Sequence, residues 1–285
     1  MKGGKEHLYV KTSKRWLVLI VIVALCAYVG VCVVVRFLQA RLIYFPSRGY
    51  AATPGDVGLR FEDLTLRTSD GVAIAAWYVP GEAAKGTLIF AHGNGGNIAD
   101  RLHAVKLLQG MGVNVLIFDY RGYGRSEGRP TESGTYEDAA AAWQYLIENR
   151  GQSPERIVLF GESLGGAVVI ELARRYGPGA LVVESTFTSL VDVGRLHYPL
   201  LPVGWLLRYR YDSITKVGGI TCPKLFIHGR EDTLVPMDNA RKLFEAAAEP
   251  KEFLETPGDH NEAGFTYSEE YSERLEAFLD GVFGG

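Results

Sequence analysis

Residues 156–173 read Arg156-Ile-Val-Leu-Phe-Gly-Glu-Ser-Leu-Gly-Gly-Ala-Val-Val-Ile-Glu-Leu-Ala173. Four apolar residues, Ile157 to Phe160, run through one serine, Ser163, into a stretch of helical character. Gly161 and Gly165 flank the serine at two-residue spacing, where a side chain would collide with the neighbouring strand or helix. A serine hydroxyl is a poor nucleophile until the chain thrusts it out on a strained turn beside a base. Strand, sharp turn and helix in this order are the context in which the pattern G-x-S-x-G carries chemistry.

The pattern alone is permissive in a chain with 34 glycines, and a second match occurs at Gly124-Arg-Ser-Glu-Gly128. Context separates the two. Ser126 lies several residues past the nearest apolar run and is followed by Pro130, not by a helix. At Ser163 a helix begins directly, so the Leu164 N–H would point at a reacting carbonyl. Ser126 therefore reads as loop chemistry and Ser163 as the candidate nucleophile.

Outward from this corner, strands and helices alternate. Phe61–Leu66 and Val72–Val79 read as an antiparallel pair around Ser69-Asp-Gly71. Gly86–Ala91, Asn114–Asp119, Ile157–Phe160, Ala180–Val183, Lys224–His228 and Glu252–Glu255 read as further strands. Helices are expected near Ile98–Gln109, Ser133–Glu148, Leu164–Tyr176, Arg241–Ala248 and Glu269–Leu279. The expected fold class is α/β: a mostly parallel, eight-stranded sheet with helices on both faces and a short lid. Such sheets gather active groups outside the carboxyl ends of their strands, where Ser163, Asn94, Asp232 and His260 all fall.

The beginning of the chain is of a different character. Trp16 to Val35 is a run of 20 residues without a charge. As a helix it would span about 30 Å, the thickness of a bilayer core. A cleavable signal peptide has a shorter apolar region ending in a small-residue cleavage site, which Arg36-Phe-Leu-Gln-Ala-Arg41 does not resemble. The reading is an uncleaved transmembrane anchor over residues 16–38, after a basic tail (1–15) and before a linker (39–58) and a main α/β domain (59–285), in which about 186–221 forms the longest connection between strands. Lys2, Lys5, Lys11, Lys14 and Arg15 precede the run, against Arg36, Arg41 and Arg48 after it. That bias predicts a cytoplasmic N-terminus, with the large domain on the periplasmic or luminal side. Two of the three cysteines lie in the apolar run, which leaves Cys222 alone and no internal disulfide for the main domain. A net charge of −3 gives no reason to expect nucleic-acid binding.

A serine nucleophile needs a base, and six histidines are available. His7 precedes the anchor, His103 falls inside a helix and His197 in an irregular apolar stretch. His92 and His228 stand at strand ends before glycine, where a ring packs in the core or tethers a loop. His260, in Thr256-Pro-Gly-Asp-His-Asn261 after the last strand, has no structural task evident from sequence. The base needs a carboxylate to hold its ring. Asp232, in the turn after the Lys224–His228 strand, is the leading candidate, and Glu184 is the rival. Glu231 would point away, and Asp259 is too near His260 in sequence to orient it. The developing oxyanion needs two N–H donors, read as Leu164 and Asn94. His92-Gly-Asn-Gly-Gly96 could otherwise be a phosphate loop, but it lacks the required lysine with Ser or Thr.

His92-Gly-Asn94, Phe118-Asp-Tyr-Arg-Gly-Tyr-Gly-Arg-Ser126, Gly161-Glu-Ser-Leu-Gly-Gly166, Glu184-Ser-Thr-Phe-Thr-Ser189, Ile227-His-Gly-Arg-Glu-Asp232 and Gly258-Asp-His-Asn261 together resemble the α/β-hydrolases. The resemblance is strongest to the small membrane-anchored ABHD-type serine hydrolases. It covers about residues 60–280 and implies a triad of Ser163, Asp232 and His260. No cofactor and no metal are expected. The 40 or so residues before Lys224 hold Tyr198-Pro-Leu-Leu-Pro-Val-Gly-Trp-Leu-Leu207, read either as packing under a loop or as an apolar wall for an acyl chain. The expected activity is hydrolysis of a carboxylic ester or thioester, with a lipid-derived substrate favoured by the tether. An aminopeptidase-like peptidase and a non-catalytic membrane-anchored scaffold are the rival readings.

Overall fold

The computed structural model describes residues 3–260 and 269–284. Lys2 of the basic tail and Asn261 of the last motif lie outside the described residues.

Among the described residues, eight strands form one sheet: β1 (Glu62–Arg67), β2 (Ala73–Val79), β3 (Thr87–Ala91), β4 (Asn114–Phe118), β5 (Ile157–Glu162), β6 (Ala180–Glu184), β7 (Lys224–Gly229) and β8 (Lys251–Thr256). Their spatial order is β1-β2-β4-β3-β5-β6-β7-β8. β2 pairs antiparallel with both β1 and β4, and every other pairing is parallel. Successive side chains of a strand point to opposite faces, which divides the core in two. Ile89, Leu159, Leu181 and Phe226 pack on one face with α3 (Glu132–Gln144), α4 (Leu164–Tyr176) and α7 (Met237–Ala246). Leu88, Phe90, Val158, Phe160 and Val182 pack on the other with α2 (Leu102–Gly110) and α8 (Glu269–Phe283). β5, central in the sheet, is buried along Ile157–Gly161 and delivers Ser163 to its carboxyl edge.

Helix α1 runs from Gly3 to Ile43, and its stretch Arg15–Ile43 is long and apolar enough to cross a membrane. The helix thus continues five residues past Leu38, where the sequence suggested that the anchor ends. Gln39 explains the extension: it is buried, and its side-chain oxygen accepts from the amides of Arg208 and Tyr209, so the domain holds the last turns in helical form. After it, Phe45–Pro46 pairs in parallel with Gly95–Gly96. Residues 44–50 therefore lie along the sheet's carboxyl edge, and Val57 packs on the face covered by α2, so the segment does not hang free.

Between β6 and β7, the lid carries two short helices, α5 (Leu190–His197) and α6 (Val203–Leu206). α7 begins at Met237, four residues before the expected Arg241, with Pro236 at its N-cap and Asp238 in its first turn. The helix expected over Ser133–Glu148 ends as α at Gln144 and continues as a π turn over Tyr145–Asn149.

Candidate active site

Ser163 stands between β5 and α4 with φ +52° and ψ −113°, a backbone region that a residue with a side chain enters only when its surroundings force it. The forcing contacts are identifiable. The Ser163 amide donates to the Glu184 carbonyl at 2.8 Å, and the Thr186 hydroxyl donates to the Ser163 carbonyl at 2.6 Å. A Cβ on Gly161 would strike the Gly165 carbonyl, and one on Gly165 would strike the Ala91 carbonyl. Both glycines are needed because the helix start lies directly against the ends of β5 and β3.

Ser163 Oγ lies 2.9 Å from His260 Nε2, and His260 Nδ1 lies 2.7 Å from Asp232 Oδ2. An ionised carboxylate can only accept, so Nδ1 carries the proton and Nε2 is left free to take the one on Oγ. Asp232 is itself fixed, because its Oδ1 accepts from the amides of Leu234 at 3.0 Å and Val235 at 2.8 Å. His228 donates from Nε2 to the Val235 carbonyl at 2.7 Å, and this nitrogen also lies 3.4 Å from Asp232 Oδ2. Burial pushes its pKa down. The ring thus ties the Asp232 loop to the end of β7, one of the two tasks expected of a histidine at a strand end.

Glu184, the rival acid, is not the partner of His260. It is buried behind the elbow and accepts from the Tyr271 hydroxyl at 2.8 Å. Burial, and after it the neighbouring Glu162, push its pKa up to about 8. A carboxyl that stays protonated near neutral pH is a poor stabiliser of an imidazolium. Ser126 is equally excluded. It is buried, donates to the Asp119 carbonyl and accepts from the Ala75 amide, both at 2.9 Å, so its hydroxyl holds two backbone segments together.

Leu164 is the first residue of α4, and a helix start leaves its amide without an intrahelical acceptor. The side chain of Asn94 is committed to the Ile43 carbonyl at 2.8 Å, whereas its backbone N–H has no acceptor among the described residues. Three donors hold this loop from outside the sequence neighbourhood. The Phe45 amide and the Tyr123 hydroxyl donate to the Asn94 carbonyl at 3.0 and 2.7 Å, and the Tyr120 hydroxyl donates to the His92 carbonyl at 2.8 Å. Arg101 forms a two-pronged bond to Glu162 at 2.8 and 3.2 Å, clamping the elbow to the start of α2. Sequence reasoning missed these supports. Tyr120 and Tyr123 lie within the Phe118–Ser126 motif, but nothing local says which carbonyl a tyrosine reaches.

A nucleophile elbow at the carboxyl edge of a sheet in this strand order, with His260 within hydrogen-bond reach, defines a serine hydrolase of the esterase-like kind. The chain belongs to the α/β-hydrolase superfamily. It is 34% identical to the α/β-hydrolase domain-containing protein WAV2 of Arabidopsis thaliana over 88% of this chain and 90% of that one. It is 42% identical to an uncharacterized protein of Mycobacterium tuberculosis, over 87% of this chain and 89% of the relative. A Saccharomyces cerevisiae relative, described as an uncharacterized membrane protein, is 34% identical over 79% of this chain and 83% of its own length. The serine aminopeptidase S33 family model matches residues 82–207, and the FSH1 serine hydrolase model matches residues 180–261. Among solved structures, an esterase of Pyrococcus furiosus superposes with a TM-score of 0.72 at 25% identity, covering 85% of this chain and 98% of that one.

Proposed function

We propose that this protein is a membrane-anchored hydrolase of carboxylic esters or thioesters acting through an acyl-enzyme on Ser163. The observation that carries the reading is the relay from Ser163 Oγ to His260 Nε2 at 2.9 Å and from His260 Nδ1 to Asp232 at 2.7 Å. Ser163 Oγ attacks the substrate carbonyl carbon while its proton passes to His260. Asp232 stabilises the imidazolium so formed. The backbone N–H groups of Leu164 and Asn94 receive the oxyanion, whose charge exists only after attack, so their stabilisation acts on the rate. His260 then gives its proton to the departing alcohol or thiol, and water activated by the same ring releases the acid.

The chain is divided, on this reading, into a basic tail, a spanning anchor, a connector and the hydrolase domain. The cationic residues before Trp16 keep the N-terminus cytoplasmic and the domain on the far side. Tethering raises the effective concentration of esters that partition into the bilayer. Labelling by a fluorophosphonate probe that is lost in Ser163→Ala tests the nucleophile, and labelling that survives the substitution sinks the assignment. Protease accessibility in intact cells and spheroplasts tests the side.

The aminopeptidase description of one matching family model favours a second reading, hydrolysis of aminoacyl amides. A series of acyl esters of increasing chain length, run beside aminoacyl amides, separates the two. Faster turnover of the amides would replace the ester reading.

A further inference from the structure

One stripe of α1 packs against the lid well inside the apolar run. Gln39 accepts from Arg208 and Tyr209, and Arg36 Nη1 donates to the Leu206 carbonyl at 3.0 Å. One turn earlier Cys32 is only 8% exposed. A turn earlier again, the Tyr28 hydroxyl donates to the Leu200 carbonyl at 2.9 Å.

The depth of that last contact decides the matter. From Trp16, where the charge-free run begins, to Tyr28 a helix rises about 18 Å. A bilayer core is about 30 Å thick. If α1 left the bilayer at the level of Tyr28 it would cross less than two thirds of it, so the apolar run up to Val35 is needed. Tyr28 then lies about 10 Å below the emerging end of the run, and the lid segment bonded to it lies at a similar depth.

The surface composition agrees. Among the described residues, the exposed large apolar side chains outside α1 and Phe45 are Leu196, Tyr198, Leu200, Trp205 and Leu234. Four of the five belong to the lid, with Leu200 86% exposed, Trp205 76% and Tyr198 62%. Such a cluster is costly against water and fits a lipid surface. Tyr198 to Leu207 contains no charge, and Arg195, Arg208 and Arg210 flank it at the exposed surface, suited to headgroup phosphates. The fifth residue, Leu234, joins the lid to the site: its carbonyl meets His197 Nε2 at 2.9 Å, and its amide donates to Asp232.

We infer that the lid tip, residues 198–205, is immersed in the membrane leaflet alongside α1, so that the site draws an acyl-chain ester from the bilayer. The inference rests on the reading of α1 as a spanning anchor. Full-length protein in proteoliposomes tests it through Trp205 fluorescence, isolated from the three other tryptophans by subtracting the Trp205→Phe signal. The expected result is that phosphatidylcholine brominated on its acyl chains quenches at least half of this component while aqueous iodide leaves it unchanged. Quenching by iodide and not by bromolipid overturns the proposal, and so does quenching by neither, which would mean that protein covers the lid. Carbonate extraction of the same membranes separates the two readings: retained protein with a water-exposed Trp205 keeps the anchor and removes the immersed lid, whereas extracted protein removes both. Leu200→Asp supplies the functional arm, with at least a tenfold loss on a long-chain ester in vesicles and none on a short water-soluble ester. Equal losses on both substrates, or none on either, would overturn the proposal.

Discussion

The side-chain amide of Asn94 donates to the backbone carbonyl of Ile43, the last residue of α1, at 2.8 Å. The apolar helix and the loop beside the nucleophile are therefore joined directly, 51 residues apart in sequence. A proposed oxyanion donor thus depends for its position on the end of α1.

Asn94→Ala keeps the backbone N–H and loses the tether. The expected result is a fall in kcat of about tenfold with KM little changed, smaller than the 10²–10³-fold seen when a donor is removed outright. Asn94→Asp should fall further, because its carboxylate cannot donate to Ile43 and brings negative charge close to the developing oxyanion. Steady-state kinetics on one soluble ester decide the point, and equal activity of all three proteins would show that the bond to Ile43 does not position the oxyanion donor.

Asp232 and Glu184 were the two acids that the sequence left in competition, and they predict opposite mutational outcomes. Asp232→Asn should lower kcat by about 10⁴-fold, since the imidazolium loses its charge partner and the ring can take the wrong tautomer. Glu184→Gln should stay within about tenfold of the parent, because the parent carboxyl is already uncharged near pH 7. The reverse ranking would reassign the acid.

Ser126 and Ser163 share a sequence pattern and should separate cleanly by experiment. Ser126→Ala leaves the Ala75 amide and the Asp119 carbonyl without the hydroxyl that bridges them in the buried interior. The expected cost is about 1–3 kcal/mol of stability, read from denaturant unfolding, with fluorophosphonate labelling retained. Ser163→Ala should do the opposite, keeping stability and losing the label. Loss of the label in properly folded Ser126→Ala would contradict the division made by strand–turn–helix context.

How far the sequence could be read follows from the range of each interaction. The strands, the elbow and α4, expected and found at Leu164–Tyr176, are set by local periodicity and by glycines in tight turns. Asp232 and His260 are expected at the sheet's carboxyl edge because each follows a strand, and in the structure His260 lies within hydrogen-bond distance of both Ser163 and Asp232. The end of α1 was not legible. Phe37 to Ile43 carries Arg41 and looks like a chain leaving a membrane, whereas contacts remote in sequence, of Gln39 with Arg208 and Tyr209 and of Ile43 with Asn94, hold its last turns against the domain. Tyr120, Tyr123 and Arg101 were missed for the same reason, since their targets His92, Asn94 and Glu162 lie at distances in sequence that no periodic pattern encodes.

Glu184 also gives the stability of the protein a pH dependence with a definite sign. In the unfolded chain its carboxyl ionises around the ordinary value of 4.5, whereas in the fold burial and then Glu162 hold it protonated up to about pH 8. Between those limits the folded state binds a proton that the unfolded state has released, so this residue's contribution to stability falls as pH rises through the window. Below about pH 4.5 both states are protonated and the contribution is flat. Glu184→Gln removes the ionisation and keeps an acceptor for the Tyr271 hydroxyl. Its stability relative to the parent should therefore rise steadily from pH 5 to pH 8 and level off above that. Urea unfolding of the two full-length proteins in the same detergent, at a series of pH values, measures the difference directly. A difference that is constant across the window would mean that Glu184 is ionised in the folded protein.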